Sequence, residues 1–289
     1  MVKAFAQVGG ILTDGVVELA AGRPYNLQPN RHQLPPYAEA EWQRLTEVCR
    51  NLADELYAAH RRALAAASQG KHPGPGGWKS ENVRWLLARL GPVNAARFGE
   101  EVGCTESAVW QRGGFIQASA DLFPTHHAMI AYRLLFGIYS GIVPDGIDDL
   151  VTDDIDWAGD STILLSYIKG RTAAESLNLP RRAVRLLEQW LAHSALLRSF
   201  STPDDQRRLW LALSRPGHFA VTAGTGARVT VQRWVVRHQI FGEDGRPLKI
   251  HRSRSAPRTR RCGTRPPGPA AAGRRSTRTT PRRSRATTT

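Results

Sequence analysis

Between Ser140 and Pro180 the chain has few conformations open to it. Gly141 and Pro144 follow directly on an apolar run (MIAYRLLFGIY), and a helix does not continue through such a pair. The acidic text DDLVTDDID comes next, then a β-rich run at 163–168 (ILLSYI), then Lys-Gly-Arg at 169–171. A return strand at 176–179 and Pro180, which suits the first turn of a helix, close the segment. The order read from these signals is helix, turn, short second helix, two-stranded hairpin, helix. Lys169 stands at the hairpin tip. A lone hairpin among helical patterns predicts a mainly α protein with a small β-hairpin or sheet.

The flanks are helical. Over 37–67, Trp42, Leu45, Val48, Cys49, Leu52 and Leu56 recur at three- and four-residue steps, one apolar face of a long helix. Residues 69–77 (QGKHPGPGG) read as a breaker loop. A helix over 80–90 opens with Ser80 as N-cap and Glu81 in its first turn, and shorter helices follow at 92–102 and 105–111. The region from Cys104 to Gly113 reads as packed amphipathic helices rather than a helix-turn-helix. The organisation expected is an irregular segment 1–36, a helical domain 37–118 and a second domain 121–254. The second domain carries helices at 125–139, 182–193, 203–213 and 227–241, and a turn at Glu243-Asp244-Gly245-Arg246.

This order, with DDID before the hairpin and Asn-Leu-Pro after it, resembles the entry to the catalytic domain of the tyrosine recombinase (phage integrase) family. The resemblance covers 121–254 and likens the helical 37–118 to the family's DNA-clamping domain. Such enzymes cut DNA with a tyrosine, while arginines, a hairpin lysine and histidines neutralise the phosphoryl transition state and move protons. Arginine suits that task because its planar fork holds two phosphate oxygens. The resemblance implies catalytic roles for Lys169 at the hairpin and for His251 and Arg254 in the H-x-x-R text HRSR. It places Arg171 and Arg252 on DNA. It implies double-stranded DNA as partner, with self-association on DNA, and no cofactor. The pattern departs at Val143, where the family's first arginine is expected, and in tyrosine order. All six tyrosines, Tyr25, Tyr37, Tyr57, Tyr132, Tyr139 and Tyr167, precede His251. The function expected is integrase-like DNA integration and recombination, inactive in this form. The alternative is a non-enzymatic nucleic-acid-binding protein that uses an arginine-rich tail.

Charge bears on both readings. The chain is +15, but residues 255–289 hold ten arginines and no acid; without them 30 basic residues face 25 acidic ones. The folded part is therefore only mildly basic. Residues 255–289 have no apolar periodicity and read as a disordered basic tail. Their Arg/Pro/Ala/Gly/Thr bias is also what a GC-rich gene yields out of frame, and a one-base shift is compatible with text ending in His-Tyr. The expectation is a frameshift near Arg254. Asp153, Asp154 and Asp156 are expected to cap and solvate the turn before the hairpin rather than bind metal. Adjacent His126 and His127 are expected at a helix start, their side chains diverging. No apolar run of membrane-spanning length occurs, and Cys49, Cys104 and Cys262 are scattered; a reduced cytoplasmic protein without membrane contact is expected.

Overall fold

In the computed structural model the described residues are 36–142, 144–158, 163–168, 174–217, 221–222 and 228–250. They belong to one compact unit. The fold is mainly helical, with a three-stranded antiparallel sheet and a two-stranded one.

Helix α1 (Glu39–Gln69) is the longest. The Glu41 carboxylate accepts from the Ala38 N–H at its start (3.2 Å), and Leu45, Cys49, Ala53 and Ala63 form its buried stripe. A single turn, α2 (Pro73–Gly76), breaks the expected loop. It is held by Asn82, whose amide donates to the carbonyls of Gly76 (3.1 Å) and Gly77 (2.9 Å). Helix α3 (Ser80–Leu90) has Lys79, not Ser80, as its N-cap. Ser80 lies one position inside the helix and its hydroxyl accepts from Arg84. Helices α4 (Ala95–Val102) and α5 (Glu106–Arg112) are capped by Asn94 (2.8 Å) and Thr105 (3.3 Å), whose side chains accept from backbone N–H groups. Helix α6 (Phe115–Leu122), not foreseen from sequence, buries Phe115, Ala118 and Leu122.

Helix α7 (His126–Ser140) is nearly all apolar and almost wholly buried over 128–132. It ends on Gly141 in the left-handed region (φ 75°), where glycine carries no Cβ penalty. A short α8 (Pro144–Asp148) and a 3₁₀ turn (Thr152–Asp154) lead into strand β1 (Ile155–Trp157), then β2 (Ile163–Ile168) and β3 (Ala174–Asn178). The sheet order is β1-β2-β3, so the expected two-stranded hairpin gains a third strand from the Asp-rich text itself. Leu165 pairs with Ile155 on one side and Leu177 on the other, and Ile163 and Leu165 are fully buried while Leu164 faces out.

Helix α9 (Arg181–Ser199) runs further than the sequence suggested. The helix expected at 203–213 stops early: α10 is Pro203–Arg207, and the chain then extends to β4 (Ala212–Leu213), paired with β5 (Val221–Thr222). The reason is burial on every side. Leu209, Trp210, Leu211, Ala212 and Leu213 are all buried, with Trp210 and Ala212 in one apolar cluster and Leu211 and Leu213 in the other, the two-residue alternation of extended chain. Their backbone bonds go elsewhere, Leu209 N–H to the Leu150 carbonyl (3.0 Å) and Leu213 N–H to Pro124 (2.8 Å). Helix α11 (Arg228–Arg237) is shorter than the expected 227–241.

Two buried clusters result. One gathers Leu45, Cys49, Tyr132, Phe136, Trp190, Trp210 and Trp234; the other gathers Val83, Leu87, Phe98, Val109, Phe115 and Leu197. Among the described residues no helix is long and apolar enough to cross a membrane.

Candidate functional site

The hairpin is held from below. Ile163 and Leu165 fix β2 in the first cluster, and the ladder runs without a break to the Ile168–Ala174 pair. The five residues 169–173 therefore form the whole connection, with Lys169 first and Arg171 third. Lys169 and Arg171 themselves lie outside the described residues, as do His251, Arg252 and Arg254 and the Val143 position.

The segment leading to His251 is pinned to the start of α1. Arg44 donates to the Phe241 carbonyl (2.6 Å), Glu41 accepts from the Glu243 N–H (3.2 Å), and the Tyr37 hydroxyl donates to the Lys249 carbonyl (3.3 Å). Leu248 is buried and its N–H donates to Ile240 (2.8 Å). The expected turn at Glu243–Arg246 is present: Gly245 N–H donates to Gly242 (3.1 Å) and Gly242 N–H to Arg246 (2.8 Å).

The Asp-rich turn does what its spacing suggested at Asp154, whose carboxylate accepts from the Val151 N–H (2.8 Å). Asp153 instead forms an exposed ion pair with Arg207 (2.8 Å). Asp156 is solvated on the edge strand. Among the described residues there is no group of three or more histidines, cysteines or acids arranged for a metal ion.

The described cations nearest in chain order to the hairpin are Arg181, Arg182 and Arg185, all exposed on the first turns of α9. Arg182 lies over the ring of Tyr139 at 5.4 Å, at the end of α7 beside the Gly141 turn. Glu188 is the first acid after Glu175. Between α9 and α1 a cleft of ≈ 450 Å³ is lined by Asp54, Tyr57, Arg61, Arg185, Glu188 and Gln189.

Several polar arrangements had no sequence signal. Arg133 and Asp148 form an ion pair with both side chains largely buried (14% and 9% exposed), tying α7 to α8 just past the Val143 position. His193 and His60 lie with rings 4.7 Å apart inside the molecule. His193 Nδ1 meets the Tyr132 hydroxyl (3.4 Å), which donates to the Ala53 carbonyl (3.3 Å). Burial, with His60 adjacent, pushes His193 down to about 3. His126 and His127 open α7, as expected, but His127 reaches across 111 positions to His238, Nε2 to Nε2 2.9 Å. Such long-range pairs leave no trace in local periodicity.

Comparison with models of known protein families and with curated proteins finds no match to this chain.

Proposed function

We propose that the protein is an integrase-like DNA-binding protein, of the tyrosine recombinase type, that holds duplex DNA by its backbone and does not cut it in this form. One observation carries the reading. A helix closed by left-handed Gly141, the α8 turn, an antiparallel sheet ending in a five-residue hairpin connection with Lys169, and a helix opening with three exposed arginines follow one another in the order that the family resemblance calls for. Lys169, Arg171, Arg181, Arg182 and Arg185 thus fall within 17 residues of chain that hold one acid, Glu175. Cations so concentrated suit phosphates, which fix position without reading sequence.

The chemistry available is incomplete. Val143 replaces the first arginine, and Arg133 nearby is engaged by Asp148, so one phosphate clamp is missing. No tyrosine lies between His251 and Thr289, so within residues 1–289 none stands in the nucleophile's place in the family's order.

Fluorescence anisotropy with a labelled duplex tests the reading. Affinity should fall steeply as salt rises from about 50 to about 200 mM, through counterion release. Arg171→Ala and Arg252→Ala should each lower affinity alike across sequences and reduce the salt slope by about one. Deleting residues 255–289 should weaken binding modestly. If that deletion abolishes binding, the arginine tail is the binding element and the integrase-like reading fails. Absence of binding at low salt removes both readings.

A further inference from the structure

We propose that His127 and His238 form a two-nitrogen site for a borderline transition-metal ion such as zinc, joining the first turn of α7 to the residue after α11. The two Nε2 atoms face each other at 2.9 Å across elements 111 residues apart. A metal at about 2.1 Å from each nitrogen would see them at an angle near 90°, within the range such ions accept. The ring centroids are 4.6 Å apart with planes at 29°. A collinear N–H···N bond with the same nitrogen separation needs centroids about 5.2 Å apart, so the contact is bent, as chelation from one side requires.

Packing orients the pair, with Arg237 the neighbouring cation that a bound metal must tolerate. Trp234 fixes the ligand from behind. Its Nε1 donates to the His127 carbonyl (3.2 Å) and its ring lies 4.7 Å from His238 and 6.3 Å from His127. Both histidines are only half-buried, so water can complete a four-coordinate shell. The binding reaction is simple: the ring that carries its proton on Nε2 shifts it to its own Nδ1, with water as carrier, and the two Nε2 lone pairs take the ion.

Zinc titration of the full chain, with accessible thiols alkylated by iodoacetamide, followed by calorimetry at pH 7.5, tests the site. The expected result is one zinc per chain, with His127→Ala and His238→Ala each weakening it about tenfold or more and His72→Ala leaving it unchanged. Zinc should also raise the melting temperature of the wild type and not of His238→Gln, which keeps an amide able to bond His127 and so guards against loss of fold. Equal zinc binding in the wild type and both alanine variants, or no uptake by the wild type up to about millimolar zinc, overturns the proposal.

Discussion

Arg198 shows how one side chain can hold irregular chain in place. Its guanidinium donates to the Ser194 hydroxyl (3.0 Å) and to the carbonyls of Gln206 (2.7 Å), Arg208 (2.7 Å) and Leu209 (2.5 Å). Burial lowers its pKa to about 10, still charged at any working pH. Arg198→Ala would strand several carbonyls at once and should cost about 3 kcal/mol in urea unfolding. Arg198→Lys should recover little, since an ammonium cannot reach the same spread of acceptors. His193 supplies a pH dependence. Its folded pKa lies far below the unfolded value near 6.5, so below pH 6.5 the unfolded chain takes up a proton that the native one refuses. Stability is full above pH 6.5 and is lost as pH falls toward 3, at up to about 1.4 kcal/mol per pH unit. Unfolding free energies at pH 6.5 and 5 should differ by about 2 kcal/mol from this group. The difference should shrink by about that amount in His193→Gln; an unchanged difference would remove His193 as its source.

At the scale of elements, two glycines differ in both backbone conformation and crowding. Gly141 and Gly91 both end helices with positive φ, but Gly141 is left-handed (φ 75°, ψ 6°) whereas Gly91 lies at φ 83°, ψ −166°, a region nearly closed to residues with a Cβ. A Cβ at Gly141 meets nothing within 4 Å, so Gly141→Ala should cost only the left-handed penalty, about 1 kcal/mol. A Cβ at Gly91 would sit 2.7 Å from the Phe200 ring, so Gly91→Ala should cost clearly more, about 2–3 kcal/mol by thermal or urea unfolding. Equal losses would mean that Phe200 moves aside and that the chain at Gly91 relaxes to a left-handed turn. The helix ends at Leu90 and near Gly141, the hairpin, and the Asp154 cap were legible because each rests on local chemistry: a breaker, a period, a side chain bonding three residues away. The 203–213 segment was not, since an apolar run looks the same whether it is a helix or an extended strand buried on all sides. Strand β1 hid inside acidic text whose turn signals masked its pairing with β2. The candidate site was legible only as a sequence order. The residues that carry it, Lys169, Arg171, His251, Arg252 and Arg254, lie outside the described residues, while His127–His238 and Arg133–Asp148 arise from packing that no local pattern encodes.

Over the whole molecule, the two clusters are not independent. Helix α1 gives Leu45, Cys49 and Ala53 to one and Ala63 to the other; α9 gives Trp190 to one and Leu197 to the other; Ala212 and its neighbours Leu211 and Leu213 divide likewise. Three elements thus cross from core to core, and neither cluster can open without stripping burial from a helix that the other needs. Folding should be a single cooperative step. Cys49 offers a local reporter. It is fully buried in the first cluster, and burial pushes its thiol far up, so native chain should not react. Leu87 is fully buried in the second cluster, on α3. Leu87→Ala should cost about 3 kcal/mol, and if opening is global it should speed Cys49 labelling about a hundredfold, although the two side chains belong to different cores. Mass spectrometry of the Cys49 peptide after pulsed alkylation would read this directly. Labelling as slow in Leu87→Ala as in the wild type would mean that the second cluster unfolds alone and that α1 frays between Ala53 and Ala63, leaving two cooperative units where the shared helices imply one.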